Sequence, residues 1–109
     1  MRRVNEAVRE VLSDAVKLLK DPRVGFVTVT DVRTSPDLRH AKVFVSVLGS
    51  EQERAATMDG LASAHGVLQA AVNRELRMKR TPTLEFLYDD TTDRAMQLEQ
   101  LIRREAGEA

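Results

Sequence analysis

Apolar residues Val4, Ala7, Val8, Val11, Leu12, Ala15, Leu18 and Leu19 recur at three- and four-residue steps. That spacing predicts one stripe of a 3.6-period helix. Between them lies a solvated face of both signs: Arg2, Arg3, Glu6, Arg9, Glu10, Asp14, Lys17 and Lys20. Asp21-Pro22 ends the helix, because the residue before proline avoids the α region. The run Val24-Gly25-Phe26-Val27-Thr28-Val29-Thr30-Asp31-Val32 is rich in β-branched residues without a helical period and predicts a strand. Ser35-Pro36-Asp37-Leu38 supplies turn chemistry. After it, Ala41, Val43, Val45 and Val47 alternate with Lys42, Phe44, Ser46 and Leu48, so the two runs predict an antiparallel hairpin.

Ser50 and Glu53 have the S-x-x-E spacing of a capping box. The following helical stripe runs through Ala56, Leu61 and Ala62, then Val67, Leu68, Ala71, Val72 and Leu76, interrupted by Gly60 and Gly66. This segment reads as one kinked helix or two short ones. Leu84-Glu85-Phe86-Leu87-Tyr88 predicts a third strand; Asp89, Asp90 and Asp93 read as caps of a last amphipathic helix carrying Met96, Leu98, Leu101 and Ile102. The predicted order is α-β-β-α-(kink)-α-β plus a C-terminal helix. It forms one α+β domain over residues 1–105, with the helices on one face of a small three-stranded mixed sheet and a frayed tail at 106–109. On the sheet, Phe26 and Phe86 are expected in the core. Phe44 shares a face with Lys42 and Ser46, so it is either an edge-packing residue or a contact.

The 109 residues contain no cysteine, which excludes disulfides, thiolate metal sites and cysteine nucleophiles. No apolar run approaches the ~18 residues that span a bilayer, and residues 1–10 hold no signal-peptide core, so a cytoplasmic protein without a membrane partner is expected. Phosphate-loop, dinucleotide and nucleophile-elbow motifs are missing. No nucleophile–base pair stands out, so a small hydrolase is the weakest reading; no catalytic residue, cofactor or metal is expected. His40 and His65 are 25 positions apart and read as surface histidines rather than ligands, with an RNA contact the alternative for His65.

Charge adds the informative signal. Seventeen Lys and Arg balance seventeen Asp and Glu. Residues 1–80 nevertheless hold fourteen cations against ten acids, and residues 81–109 hold three against seven. Taken alone, the cations are either ordinary solvated charges or, gathered on one face, a polyanion site. The candidate pool for RNA phosphates is Arg2, Arg3, Arg9, Lys17, Lys20, Arg23, Arg39, Lys42, Arg74, Arg77, Lys79 and Arg80. A small protein–protein adaptor using the acidic last helix is the alternative.

Several longer blocks carry a resemblance. Arg3-Val4-Asn5-Glu6, Val8-Arg9-Glu10-Val11-Leu12, Asp21 to Val32, Ser35 to Gly49, and Thr81-Pro82 with Leu84, Phe86, Tyr88, Asp89 and Asp90 occur in one order. Over about residues 2–102 the chain resembles bacterial ribosome-binding factor A. The resemblance implies a K-homology-like fold of type II in which an Ala-x-Gly kink, here Ala64-His65-Gly66, replaces the strand-clamping G-x-x-G loop. With only one glycine left there, contacts are expected to lean on structured RNA and phosphates. Gly66 itself is expected to serve a positive φ or a close helix approach; either would make valine at 66 cost about 1 kcal/mol or more. The resemblance further implies a non-enzymatic assembly factor that binds the free 30S subunit. It would assist late maturation of 16S rRNA, matter most in the cold, and leave with the help of a release GTPase. A monomer is expected.

Overall fold

The computed structural model describes residues 2–77 and 80–107. Helix α1 (Arg2–Lys17) is followed by strands β1 (Phe26–Thr34) and β2 (His40–Leu48), helices α2 (Glu51–Ser63) and α3 (His65–Leu76), strand β3 (Thr83–Tyr88) and helix α4 (Thr91–Gly107). The sheet order is β1-β2-β3, with β1 antiparallel and β3 parallel to β2. The parallel pairing is possible because α2 and α3 form the crossover that returns the chain to the same end of the sheet.

The alternation in β2 sets the layers. Ala41, Val43, Val45 and Val47 are buried, while His40, Lys42 and Leu48 are exposed. On the buried side Ala41, Val43 and Val45 share one core with Val8, Leu12 and Val16 of α1, Leu61 of α2, and Leu68 and Val72 of α3. Each Val or Leu removed from water contributes about 1.5–3 kcal/mol, so this layer carries the fold. The other face of the sheet is open.

Strand β1 departs from the sequence reading. A bulge lies between Val29 and Asp31, so Val29 pairs with Val45 and Val32 with Val43. One extra residue reverses the parity of the strand. Val32 therefore joins Val27 and Val29 on the helix side, whereas Phe26, expected in the core, precedes the bulge, alternates with Val27 and is 80% exposed beside Leu48 on the open face. Leu18, also placed on the apolar stripe, is 78% exposed because α1 stops at Lys17 and the chain leaves in a tight turn, Leu18 N–H to Ala15 O and Leu19 N–H to Val16 O.

The capping box is formed in full. Ser50 Oγ accepts from Glu53 N–H at 3.1 Å, and Glu53 Oε1 accepts from Ser50 N–H at 3.1 Å. Helix α2 then runs straight through Gly60. A Cβ there would lie 2.6 Å from Val24 Cγ2, so this glycine serves a close approach between α2 and the α1–β1 connection.

Helix α4 differs from the others in being almost unpacked. Met96, Leu98, Leu101 and Ile102 are each at least half exposed. Its 17 residues make a rod of about 25 Å, and the molecule extends 61 × 33 × 17 Å. The radius of gyration, 16.5 Å, exceeds the ~13 Å of a compact chain this long. Helix α4 runs to Gly107; of the tail expected at 106–109, residues 108 and 109 lie outside the described residues.

Candidate nucleic-acid interface

Three chain segments meet at the hairpin-tip end of the sheet. Asn5 Oδ1 accepts from Thr34 N–H at 3.0 Å, tying the first turns of α1 to the end of β1. Arg39 O accepts from Thr83 N–H at 2.8 Å, tying the tip to the start of β3. The tip is a turn closed by Leu38 N–H to Ser35 O at 2.9 Å, with Asp37 Oδ1 accepting from Ser35 Oγ–H and Arg39 N–H. These ties bring Arg2 and Arg3, Arg39 and Arg80 to one end; Arg80, three residues before Thr83, is within about 10 Å of it by chain reach.

All four arginines are exposed. Arg2 lies 3.7 Å from Glu6, and Arg39 3.9 Å from Asp37. Such long, solvated ion pairs contribute little, so the guanidiniums remain open to a stronger anion. Arg9 joins Arg2, Asn5, Glu6, Asp31 and Val32 in lining a cleft of about 240 Å³ between α1 and β1.

The open sheet face extends this surface. Lys42 sits opposite Arg33 on one side and Glu85 on the other. Arg33 was absent from the sequence pool. Its Nε is 3.0 Å from Asp31 Oδ2, and its guanidinium carbon is 5.6 Å from the Phe44 ring centroid. Phe44 is half-buried beneath it. The signal was available: the turn at 35–38 sets the hairpin register, and that register places residue 33 across from 42.

Other members of the pool lie elsewhere. Lys17, Lys20 and Arg23 are at the opposite end, about 25 Å away along the length of α1 and β1. Arg23 is committed there: its Nε is 3.0 Å from Asp21 Oδ1, and a terminal nitrogen is 2.6 Å from Oδ2. Those hydrogen bonds, with one from the Arg23 amide, lower the Asp21 pKa to about 2. Arg74 lies 3.7 Å from Glu75 and shares a shallow groove with Glu10 and Asp14. Arg77 caps α3 and is exposed. Lys79 lies outside the described residues.

The break between α2 and α3 falls on Ala64, with φ −88° and ψ 7°. His65, expected as a surface histidine, instead lies half-buried, with Nε2 2.8 Å from Leu84 O and its ring edge-on to Phe86. A carbonyl partner requires that Nε2 carry the proton. One turn on, Gln69 donates to Pro82 O and accepts from Leu84 N–H, each at 2.9 Å. The kink is thereby stitched to the outer edge of β3. Gly66 has neither a positive φ nor any neighbouring atom within 4 Å of where a Cβ would lie, so neither condition expected of it holds. Asp89 accepts from Thr91 N–H at 3.0 Å and from Thr30 Oγ–H at 2.7 Å, and Asp90 holds Arg94 at 2.9 Å, so both carboxylates serve the β3–α4 junction.

Residues 1–102 match the family described as Ribosome-binding factor A. The chain is 42% identical over 104 residues to ribosome-binding factor A of Halothermothrix orenii, covering 94% of this chain and 85% of that protein. For the Geobacter metallireducens protein the identity is 40% over 107 residues, covering 97% and 91%. The crystal structure of ribosome-binding factor A from Thermus thermophilus superposes with a TM-score of 0.72 at 32% identity, covering 80% of this chain and 92% of that one. A Thermus thermophilus homology model fitted into a cryo-electron microscopy map of a 30S complex superposes at 0.66, with 33% identity, covering 78% and 90%. The four helices, the mixed sheet and the sequence blocks agree with these matches, and the chain belongs to the ribosome-binding factor A family.

Proposed function

We propose that this protein binds the free 30S ribosomal subunit as an assembly factor without enzymatic activity. The observation that carries the reading is the similarity to the Thermus thermophilus protein fitted into a 30S complex. The chemistry that supports it is the group of exposed arginines at the hairpin-tip end, Arg2, Arg3, Arg39 and Arg80, with Arg33 and Lys42 continuing onto the open face. Cations from separate segments on one end neutralise several RNA phosphates at once, and this dominates affinity for nucleic acid. Binding favours one conformation of immature 16S rRNA and shifts that population towards the mature form. In the cold, misfolded RNA helices persist longer, so the factor matters most there. It acts in the cytoplasm as a monomer and leaves with a release GTPase.

Sedimentation of the protein with free 30S subunits and with complete ribosomes tests this. Cosedimentation with the free subunit and exclusion from the complete ribosome are expected; equal partition, or no binding to either, overturns the reading. A second reading, a protein–protein adaptor, is favoured by one observation only, the exposed stripe Leu98, Leu101 and Ile102 on α4. It predicts that removing α4 abolishes subunit binding while alanines at Arg2, Arg39 and Arg80 do not.

A further inference from the structure

A strand at the edge of a sheet carries a row of backbone N–H and C=O groups with no neighbouring strand to receive them, and such a row recruits further strands. Both outer strands of this sheet face that problem, since β2 is central. In β1, Ser35 N–H donates to His40 O, so the alternation turns Thr34 and Val32 away from β2. Their outward N–H groups are taken by side-chain oxygens, Thr34 by Asn5 Oδ1 at 3.0 Å and Val32 by Asp31 Oδ1 at 2.9 Å. In β3, Thr83 N–H donates to Arg39 O and Asp89 N–H to Val45 O, so Leu84, Phe86 and Tyr88 turn their backbone groups outward. Here two side chains of α3 stand where a fourth strand would lie. The Gln69 amide donates to Pro82 O and accepts from Leu84 N–H, each at 2.9 Å, as a neighbouring peptide unit would. His65 Nε2–H donates to Leu84 O at 2.8 Å. Both outward groups of Leu84 are therefore satisfied from within the chain, by residues one turn apart on one helix.

We propose that Gln69 and His65 guard the β3 edge and keep it from pairing with β3 of a second copy of this chain. This rests on the reading that the protein acts as a monomer, and it names what keeps it so. Two copies meeting at this edge pair antiparallel about a two-fold axis, with the same residues on both sides, so the contact closes as a dimer. With the guard in place, an incoming strand displaces three hydrogen bonds and gains no more than it breaks, while association still costs translational and rotational freedom. Without it, Pro82 O and both outward groups of Leu84 lose their partners, and a second strand supplies them.

The test compares wild type, Gln69→Met, Gln69→Met with His65→Leu, and Gln69→Glu by sedimentation over a wide range of concentration, together with amide hydrogen exchange at Leu84. Wild type is expected to stay at 12.2 kDa throughout. In the dilute monomer, Gln69→Met should speed exchange at Leu84 by about tenfold or more. As concentration rises, the double variant should approach twice the monomer mass. Gln69→Glu still accepts from Leu84 N–H and sets a charge on the edge, so it should remain monomeric. Should the double variant fail to fold, Gln69→Met decides alone, because methionine keeps the length and helix propensity of glutamine. Unchanged exchange at Leu84 in Gln69→Met overturns the proposal, as does association of Gln69→Glu equal to that of Gln69→Met. If wild type itself dimerises, the monomer reading fails and this one with it. If wild type and the unguarded variants are all monomeric while Leu84 exchanges faster, only the guard fails.

Discussion

Thr57 Oγ1 lies 3.2 Å from the amide nitrogen of Gly25, 32 residues earlier in the chain. The same hydroxyl donates to Arg23 O at 3.2 Å, and Thr57 is wholly buried. One side chain in the middle of α2 therefore satisfies a donor and an acceptor of the connection between α1 and β1. Thr57→Val keeps the shape and removes both bonds. It should destabilise by about 1–3 kcal/mol, the cost of leaving such groups unpaired. Thr57→Ser, which keeps the hydroxyl, should lose less. Urea unfolding of the two variants measures the difference.

The two glycines of the α2–α3 region should respond to alanine with opposite signs. At Gly60 the gain in helix propensity, about 1 kcal/mol, meets a contact 2.6 Å from a stiff, β-branched side chain. Overpacking of that kind costs about 1–3 kcal/mol, so Gly60→Ala should lower stability, and adding Val24→Ala should restore it. Gly66 sits in the first turn of α3 with open space around it, so Gly66→Ala should be neutral or stabilising by about 0.5 kcal/mol. Thermal unfolding of the three variants decides the matter; a rise in Tm for Gly60→Ala would contradict the close approach to Val24.

How much of this was legible in the sequence depended on whether a local pattern determined the outcome. The alternation in β2 was readable because one face of the sheet is buried and the other open, so parity alone separates Val43 from Lys42. Phe26 falls on the open face by plain alternation with Val27 and Val29; the bulge at Thr30 is what brings Val32 to the same side as those two, and a run of β-branched residues on both faces hides which side is inward. The stripe on α4 was real, but periodicity says that a face is apolar without saying what covers it. Gly60 looked like a helix interruption; its reason is Val24, 36 residues away. The cations were visible one by one. Only the ties Asn5–Thr34 and Arg39–Thr83, which are tertiary, separate Arg2, Arg39 and Arg80 from Lys17 and Lys20.

Acid should weaken the fold through three carboxylates. Hydrogen bonds from Arg23 hold Asp21 at about 2. Asp37 is lowered by the Ser35 hydroxyl and the Arg39 amide, and Asp89 by Thr91 and the Thr30 hydroxyl. Their folded values lie below the unfolded value of about 3.9. The stabilisation is therefore fully present above about pH 4 and is lost as pH falls through the folded values towards about 2. Urea midpoints measured between pH 5 and pH 2 should fall steadily, and Asp21→Asn should flatten the lowest part of the curve. A midpoint independent of pH would remove these contacts from the account of stability.

The claim on which the functional reading depends is that the arginines gathered at the hairpin-tip end meet RNA phosphates. The salt dependence of binding to free 30S subunits measures this most directly. By analogy with DNA, six phosphate contacts give a slope of log K against log salt of about −5, and replacing Arg2, Arg39 and Arg80 by alanine should make it shallower by about 2.7. Replacing Lys17 and Lys20, at the far end, should leave it unchanged. A wild-type slope near zero, or a slope that responds to Lys17 and Lys20 but not to the three arginines, would contradict the account.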